Sequence, residues 1–171
     1  MQHTTDMRRT LLLLILCAMA PCLAIAQDAA SGATAVRRQH ISFEGIPVKG
    51  DIYEFADALR QAGYKLQKRD GDTRSFVFKG TVFGTTQVFR VSYTKRTRTV
   101  YRILAQPHNM PSDVLLDSLR RHYGEPADAA GDRIQWQLPT GAVMLATPDG
   151  YNPTFVIMDA VGVAAYTDED K

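Results

Sequence analysis

Beyond residue 22 the chain contains no cysteine, because its two cysteines are Cys17 and Cys22. Both lie in an N-terminal segment that we expect to be removed. The mature protein would then have neither a disulfide nor a cysteine metal ligand. Its stability must come from packing, since no covalent link constrains the unfolded chain.

The first 26 residues have the features of an export signal. Arg8 and Arg9 form a basic start, residues 11–23 are apolar, and residues 24–26 read Ala-Ile-Ala, which suits signal peptidase. The apolar run is shorter than the about 20 residues that a membrane-spanning helix needs. We therefore predict cleavage near Ala26, no transmembrane span in the mature chain, and a periplasmic or secreted product. An uncleaved membrane anchor is the alternative.

The mature chain also lacks a large excess of charge of either sign. When Asp6, Arg8 and Arg9 are removed from the totals of 20 basic and 18 acidic residues, the net charge is +1. Nucleic-acid binding depends on neutralising many phosphates. We therefore predict no nucleic-acid partner.

The spacing patterns of common catalytic and metal sites are missing as well. The sequence has no HExxH motif, no Gly-x-Ser-x-Gly elbow and no phosphate-binding glycine loop. The main interpretation is therefore a non-enzymatic protein with no catalytic residue, metal or cofactor. The enzymatic alternative is a small hydrolase centred on His108, because a loop that also contains Asn109 and Asp113 can present an imidazole to a carboxylate.

The remaining residues divide into two termini and one domain. Residues 27–39 and 167–171 are predicted to be flexible, and residues 40–166 to form a single domain. A first helix is predicted to start at the N-cap Asp51 and to stop at Gly63. A second is predicted to start at Ser112 or Asp113 and to stop at Gly124.

Three runs with strand character follow each helix: residues 75–83, 86–94, 99–105, 133–138, 142–147 and 154–158. Their short connections favour antiparallel hairpins. The order of elements repeats in units at about 51–105 and 112–159. We predict an α+β fold in which two tandem αβββ units form a six-stranded antiparallel sheet with two helices packed on one face.

The second sheet face would then be left open. Alternation turns Phe89, Val91, Tyr93, Tyr101 and Ile103 toward the helices, and Trp136 is placed in the core. On the open face we expect Val88, Arg90, Ser92, Val100, Arg102 and Leu104, together with Gln135 and Gln137 from the fourth strand. A face that mixes aliphatic, arginine and glutamine side chains is suited to protein docking.

A basic hairpin tip adjoins this face. Lys95, Arg96 and Arg98 occur within four residues between the second and third runs. One hypothesis is that they meet an anionic partner such as lipid headgroups, lipopolysaccharide or an acidic protein. The alternative is that the charges keep the turn soluble and block pairing of sheet edges.

The tandem αβββ order after a signal peptide resembles the β-lactamase inhibitory protein fold and, more loosely, the small modules of the outer-membrane assembly lipoprotein family. Uncharacterised exported bacterial proteins are also similar in two turns, which here are Gly45-Ile46-Pro47 and Tyr123-Gly124-Glu125-Pro126. The resemblance covers residues 40–166. It implies a sheet that binds other proteins. The inhibitory protein has disulfides and the lipoproteins a lipidated cysteine, and the mature chain has neither.

These observations predict an exported binding protein that engages a protein partner in the cell envelope through its open sheet face and its basic hairpin. The predicted binding residues of the open face are Arg90, Ser92, Arg102, Gln135 and Gln137. An inhibitor or immunity role fits such a scaffold. An envelope assembly module at the membrane surface is a further alternative to the hydrolase.

Overall fold

The computed structural model describes residues 40–130, 132–146 and 153–169. The predicted export signal and the segment 27–39 lie outside the described residues. The described part forms three helices, α1 (Ile52–Gln61), α2 (Ser112–Tyr123) and α3 (Ala160–Glu169). It also forms ten strands: β1 (Ser42–Phe43), β2 (Ile46–Pro47), β3 (Lys65–Asp70), β4 (Ser75–Val82), β5 (Thr85–Tyr93), β6 (Val100–Ala105), β7 (Asp128–Ala130), β8 (Arg133–Leu138), β9 (Gly141–Ala146) and β10 (Thr154–Asp159).

Eight of the strands form one antiparallel sheet in the order β3-β4-β5-β6-β10-β9-β8-β7. Strands β3–β6 are a meander after α1, and β7–β10 are a second meander after α2. The two meanders meet where β6 pairs with β10. The chain thus repeats an order of one helix and four strands, and the last strands of the two halves join at the centre of the sheet.

Both predicted helices begin and end close to where the sequence indicates. The Asp51 carboxylate accepts a hydrogen bond from the Tyr53 amide at 2.8 Å, as expected of an N-cap. Gly63 and Gly124 follow the helices with φ of 94° and 81°, conformations that favour glycine. Helix α2 instead has Pro111 at its N-cap position, with no side-chain cap.

One hydrophobic core lies between α1, α2 and one face of the sheet. The helices contribute Ile52, Phe55, Ala56, Leu59, Leu115 and Leu119. Trp136 is 1% exposed, which confirms its predicted core position, and its indole nitrogen donates to the Gly124 carbonyl at 2.8 Å. The small β1–β2 hairpin packs against the same core through Phe43, whose ring centroid lies 4.9 Å from that of Phe89.

The prediction of six strands is wrong, because the main sheet has eight strands and β1–β2 form a separate pair. The two missed strands of the main sheet, β3 and β7, are its edges. Strand β3 reads Lys-Leu-Gln-Lys-Arg-Asp, and most of its residues are exposed. Edge strands often have charged side chains that discourage pairing with other chains, so their hydrophobic pattern is weak.

The prediction of two helices is also wrong. Thr167–Glu169 belong to the last turn of α3, although residues 167–171 were expected to be a flexible tail. Helix α3 follows β10 directly and contacts β6, β9 and β10. Gly162 allows the close approach, because a Cβ atom there would lie 2.3 Å from the Val100 carbonyl oxygen. The rings of Tyr101 and Tyr166 stack at 4.6 Å.

A register shift changes the predicted side of one strand. Ser92 pairs with Arg102, but the next residue of β5, Tyr93, pairs with Val100. The extra residue is a bulge, which interrupts the alternation of side chains between the two faces. Val100 is therefore fully buried in the core, and its predicted place on the open face is wrong.

Candidate functional site

The side of the main sheet opposite α1 and α2, here called the outer face, is defined by cross-strand pairs. Paired residues of antiparallel strands point to the same side of the sheet. One row across the outer face consists of Lys68, Val77, Arg90, Leu104, Val156, Met144, Gln135 and Asp128. The neighbouring row consists of Asp70, Ser75, Ser92, Arg102, Met158, Ala142 and Gln137.

These rows bring five predicted site residues to one surface. Arg90, Ser92 and Arg102 lie on the adjacent strands β5 and β6. Gln135 and Gln137 lie on β8, which is three strands from β6 and therefore about 14 Å away. The arginines and the glutamines flank the centre of the outer face and do not contact each other directly.

The centre of the outer face is apolar. Leu104, Met144 and Met158 are half-buried, and Val156 is 7% exposed. On the first half of the face, Val88 is 49% exposed. Such a surface provides apolar area for binding, and the surrounding polar groups provide orientation.

The arginines beside this centre have few partners. The Arg90 guanidinium donates to the Thr73 hydroxyl at 3.3 Å, and that of Arg102 donates to the Ser92 hydroxyl at 3.4 Å. The Nε atom of Arg102 is buried without a hydrogen-bond partner among the described residues. No carboxylate in the described part of the chain forms an ion pair with either guanidinium.

The two halves of the sheet carry opposite charge, which sequence reasoning on the whole chain missed. Residues 65–105, which contain β3–β6, have ten Lys or Arg residues and two Asp residues. Residues 128–159, which contain β7–β10, have one Arg and four Asp residues. Counting charge separately along each half would have found this asymmetry, because the near-neutral total of the mature chain hides it.

The basic tip of the β5–β6 hairpin is exposed, as its sequence indicates, but it is not free. Nε of Arg98 lies 2.9 Å from an Asp51 carboxylate oxygen. The Glu169 carboxylate accepts hydrogen bonds from the amides of Arg96 and Thr97 at 2.6 and 2.9 Å. These bonds lower the pKa of Glu169 to about 2, the Arg96 amide having the largest effect. Lys95 and Arg96 keep exposed side chains.

His108 does not acquire a catalytic arrangement. It lies exposed in the turn before α2, and within the described part of the chain it forms no hydrogen bond or ion pair. The Asp113 carboxylate instead accepts from the Val114 amide at 2.9 Å. The geometry required of a histidine paired with a carboxylate is therefore absent at this loop in the described residues.

A different histidine has a carboxylate partner that the sequence did not indicate. Nδ1 of His40 lies 3.1 Å from both carboxylate oxygens of Asp159, which is 1% exposed. Asp159 also accepts from the amides of Ile41 and Gly162. It thus caps the first turn of α3 and attaches the start of the domain to the end of β10. Sequence spacing contains no signal for this pair, because its members are 119 residues apart.

None of the described helices is both long and apolar enough to span a bilayer. No family model, curated protein or solved structure matches the chain.

Proposed function

We propose that the protein is an exported, non-enzymatic binding protein that engages an acidic protein surface in the cell envelope. The binding surface is the first half of the outer face together with its apolar centre. An inhibitor or immunity role fits this mode of binding. The resemblance to the β-lactamase inhibitory protein fold stays a prediction and agrees with that role.

The observation that carries the proposal is a pair of arginines that have few polar partners and lie beside the apolar centre of the outer face. Arg90 and Arg102 lie next to Leu104 and Val156 and have no carboxylate partner among the described residues. Binding removes water from such arginines, and this loss is best compensated when a carboxylate of the partner forms hydrogen bonds with the guanidinium in place of water. The excess of basic residues in this half of the sheet would also accelerate encounter with an acidic surface.

The test is capture of a partner from native envelope extract, followed by binding measurements with the purified partner. Arg90→Glu/Arg102→Glu should weaken binding by about tenfold or more, because two attractive contacts become repulsive. The matched control is Lys49→Glu/Arg60→Glu, which reverses two exposed charges outside the outer face and should leave binding unchanged.

Melting temperatures of both double variants establish that they are folded, and Arg90→Gln/Arg102→Gln provides a milder substitution. Equal affinity of the wild type and the Glu variant for the purified partner would reject the outer face as the binding surface. Concentration-dependent dimerisation that the Glu variant abolishes would also contradict the proposal, since the occupant would then be a second copy of the chain.

A further inference from the structure

An open cleft lies at the end of the first half of the sheet, where three segments meet. It has a volume of about 470 Å³ and is lined by Gly71, Asp72, Arg74, Tyr93, Lys95 and Arg98. The turn 71–74 and the β5–β6 hairpin lie side by side, because the Tyr93 amide donates to the Arg74 carbonyl at 3.1 Å. The start of α1 reaches the same end of the sheet, because the Ile52 amide donates to the Arg98 carbonyl at 3.0 Å.

Aromatic rings and guanidinium groups are packed together beside this cleft. The Phe76 ring makes edge contacts with the rings of Tyr53 and Tyr93, at centroid distances of 5.5 and 5.8 Å. The Arg69 guanidinium lies 5.6 Å from the Tyr53 centroid, and that of Arg98 lies 5.4 Å from it. The rings hold these cations in place and leave Tyr53 44% exposed.

The acidic residues around the cleft are mostly engaged elsewhere. Asp51 caps α1 and pairs with Arg98. Asp70 accepts from the Thr73 amide and pairs with Lys68, and these contacts lower its pKa. Glu169 binds the hairpin backbone. Asp72 is the one acidic side chain among the residues that line the cleft.

Two cations of the lining have no anionic partner in the described part of the chain. Neither Arg74 nor Lys95 forms an ion pair there, and Arg74 is half-buried. Arg74 and Arg98 both have positive φ, 48° and 55°. Such a conformation is unusual for arginine, and residues of this kind concentrate at ligand sites, where function outweighs the local strain.

The hydroxyl group of Tyr93 is a further polar group at the cleft. Burial has the largest effect on the pKa of Tyr93 and raises it; Tyr53 and Asp70 also raise it, whereas Arg74 and Arg98 lower it. Tyr93 therefore stays protonated at neutral pH and has a proton to donate. Tyr93 lines the same cleft as Arg74 and Arg98.

We propose that this cleft binds the phosphate group of a phosphomonoester or phosphodiester, with Arg74 and Lys95 as its cationic ligands and the Tyr93 hydroxyl as a further donor. The planar guanidinium matches two phosphate oxygens at once, and the ammonium acts as a point charge. The exposed Tyr53 ring offers an apolar contact to the organic part of the ligand. This site is separate from the outer face, so either proposal can fail without the other.

The first experiment is titration of the protein with inorganic phosphate, followed by backbone amide chemical shifts. Saturable shifts should be confined to residues 69–76 and 93–98. Arg74→Asn should weaken binding about tenfold, since it removes a charged hydrogen-bond donor to the phosphate. Asparagine tolerates the positive φ at this position, so the variant isolates the side chain from the backbone strain.

Lys65→Gln is the matched control, because Lys65 is an exposed cation at the other end of β3 and should not affect phosphate binding. Arg74→Lys should retain part of the affinity. Shifts spread over all exposed cations, the absence of saturation, or wild-type affinity in Arg74→Asn would overturn the proposal.

A second arm distinguishes the sources of the phosphate. Vesicles of phosphatidylcholine with and without phosphatidylglycerol are tested for binding of the wild type, Arg74→Asn and Lys65→Gln. Binding that requires phosphatidylglycerol and is lost only in Arg74→Asn assigns the cleft to a lipid headgroup. Saturable phosphate binding without vesicle binding assigns it to a soluble phosphate ester. Vesicle binding that both variants weaken equally would reflect general charge and would overturn a headgroup site.

Discussion

The two halves of the sheet have the same order of elements but different surfaces. The half formed by β3–β6 has eight more basic than acidic residues between positions 65 and 105, whereas residues 128–159 have three more acidic than basic residues. Both halves nevertheless bury apolar side chains against the same core. The inward-facing positions of both halves are therefore alike in being apolar, whereas the two segments differ in net charge.

The comparison also shows where the halves depend on each other. Helix α3 follows β10 of the second half, yet its last turn holds the hairpin of the first half through Glu169. Asp159, at the end of β10, binds His40 and Ile41 at the start of the domain. The basic half is thus positioned in part by the acidic one.

The largest effect should come from truncating the core of either half. Phe89 contacts Phe43, Tyr64 and Phe78, and Phe89→Ala should cost about 3–5 kcal/mol of unfolding free energy. Leu145 is fully buried in the second half, and Leu145→Ala should cost about 2–5 kcal/mol.

Both core variants should still unfold in one transition, because β6 and β10 join the halves into one sheet. Chemical denaturation followed by tryptophan fluorescence and by far-UV circular dichroism tests this, since Trp136 reports on the second half. Two separate transitions would show that the halves are independent units.

A substitution in α3 where this helix packs against the first half should have an intermediate effect on stability. Gly162→Ala places a Cβ atom 2.3 Å from a backbone oxygen of Val100, so the helix must shift. Overpacking of this kind costs about 1–3 kcal/mol, and hydrogen exchange should accelerate in α3 and in the 94–99 hairpin tip. Val161→Ala changes a half-exposed residue of the same helix and should leave exchange unchanged. Equal protection of the hairpin tip in both variants would contradict the role of α3.

Much of the fold could be predicted from the sequence, because its strongest signals are local. The six predicted strands coincide with β4–β6 and β8–β10, and Asp51, Gly63 and Gly124 mark helix ends as expected. The missed elements lack such signals. Strand β3 is a charged edge, β7 has three residues, and α3 mixes apolar and small residues without a clear hydrophobic side.

The candidate sites were predictable to different degrees. Alternation alone placed Arg90, Ser92 and Arg102 on one face, whereas the bulge that buries Val100 depends on tertiary packing. The phosphate cleft could not be predicted, because its residues come from a turn, a hairpin and a helix start that meet only in the folded chain. Arg74 looks like an ordinary turn residue in the sequence.

The smallest expected effect concerns the contact between α3 and the basic hairpin. Glu169 has a folded pKa of about 2 against an ordinary value of 4.5, so its stabilising contribution is fully present above about pH 4.5 and is lost as the pH falls toward 2. The wild type should therefore melt slightly above Glu169→Gln at neutral pH, and this difference should vanish near pH 2. Asp132→Asn removes one exposed negative charge of the second half and should show no comparable pH-dependent difference from the wild type. A difference for Glu169→Gln that persists unchanged at pH 2 would mean that the carboxylate charge does not hold the hairpin, and the contact between α3 and the basic half would then depend on the close approach at Gly162 and on the stacked tyrosines.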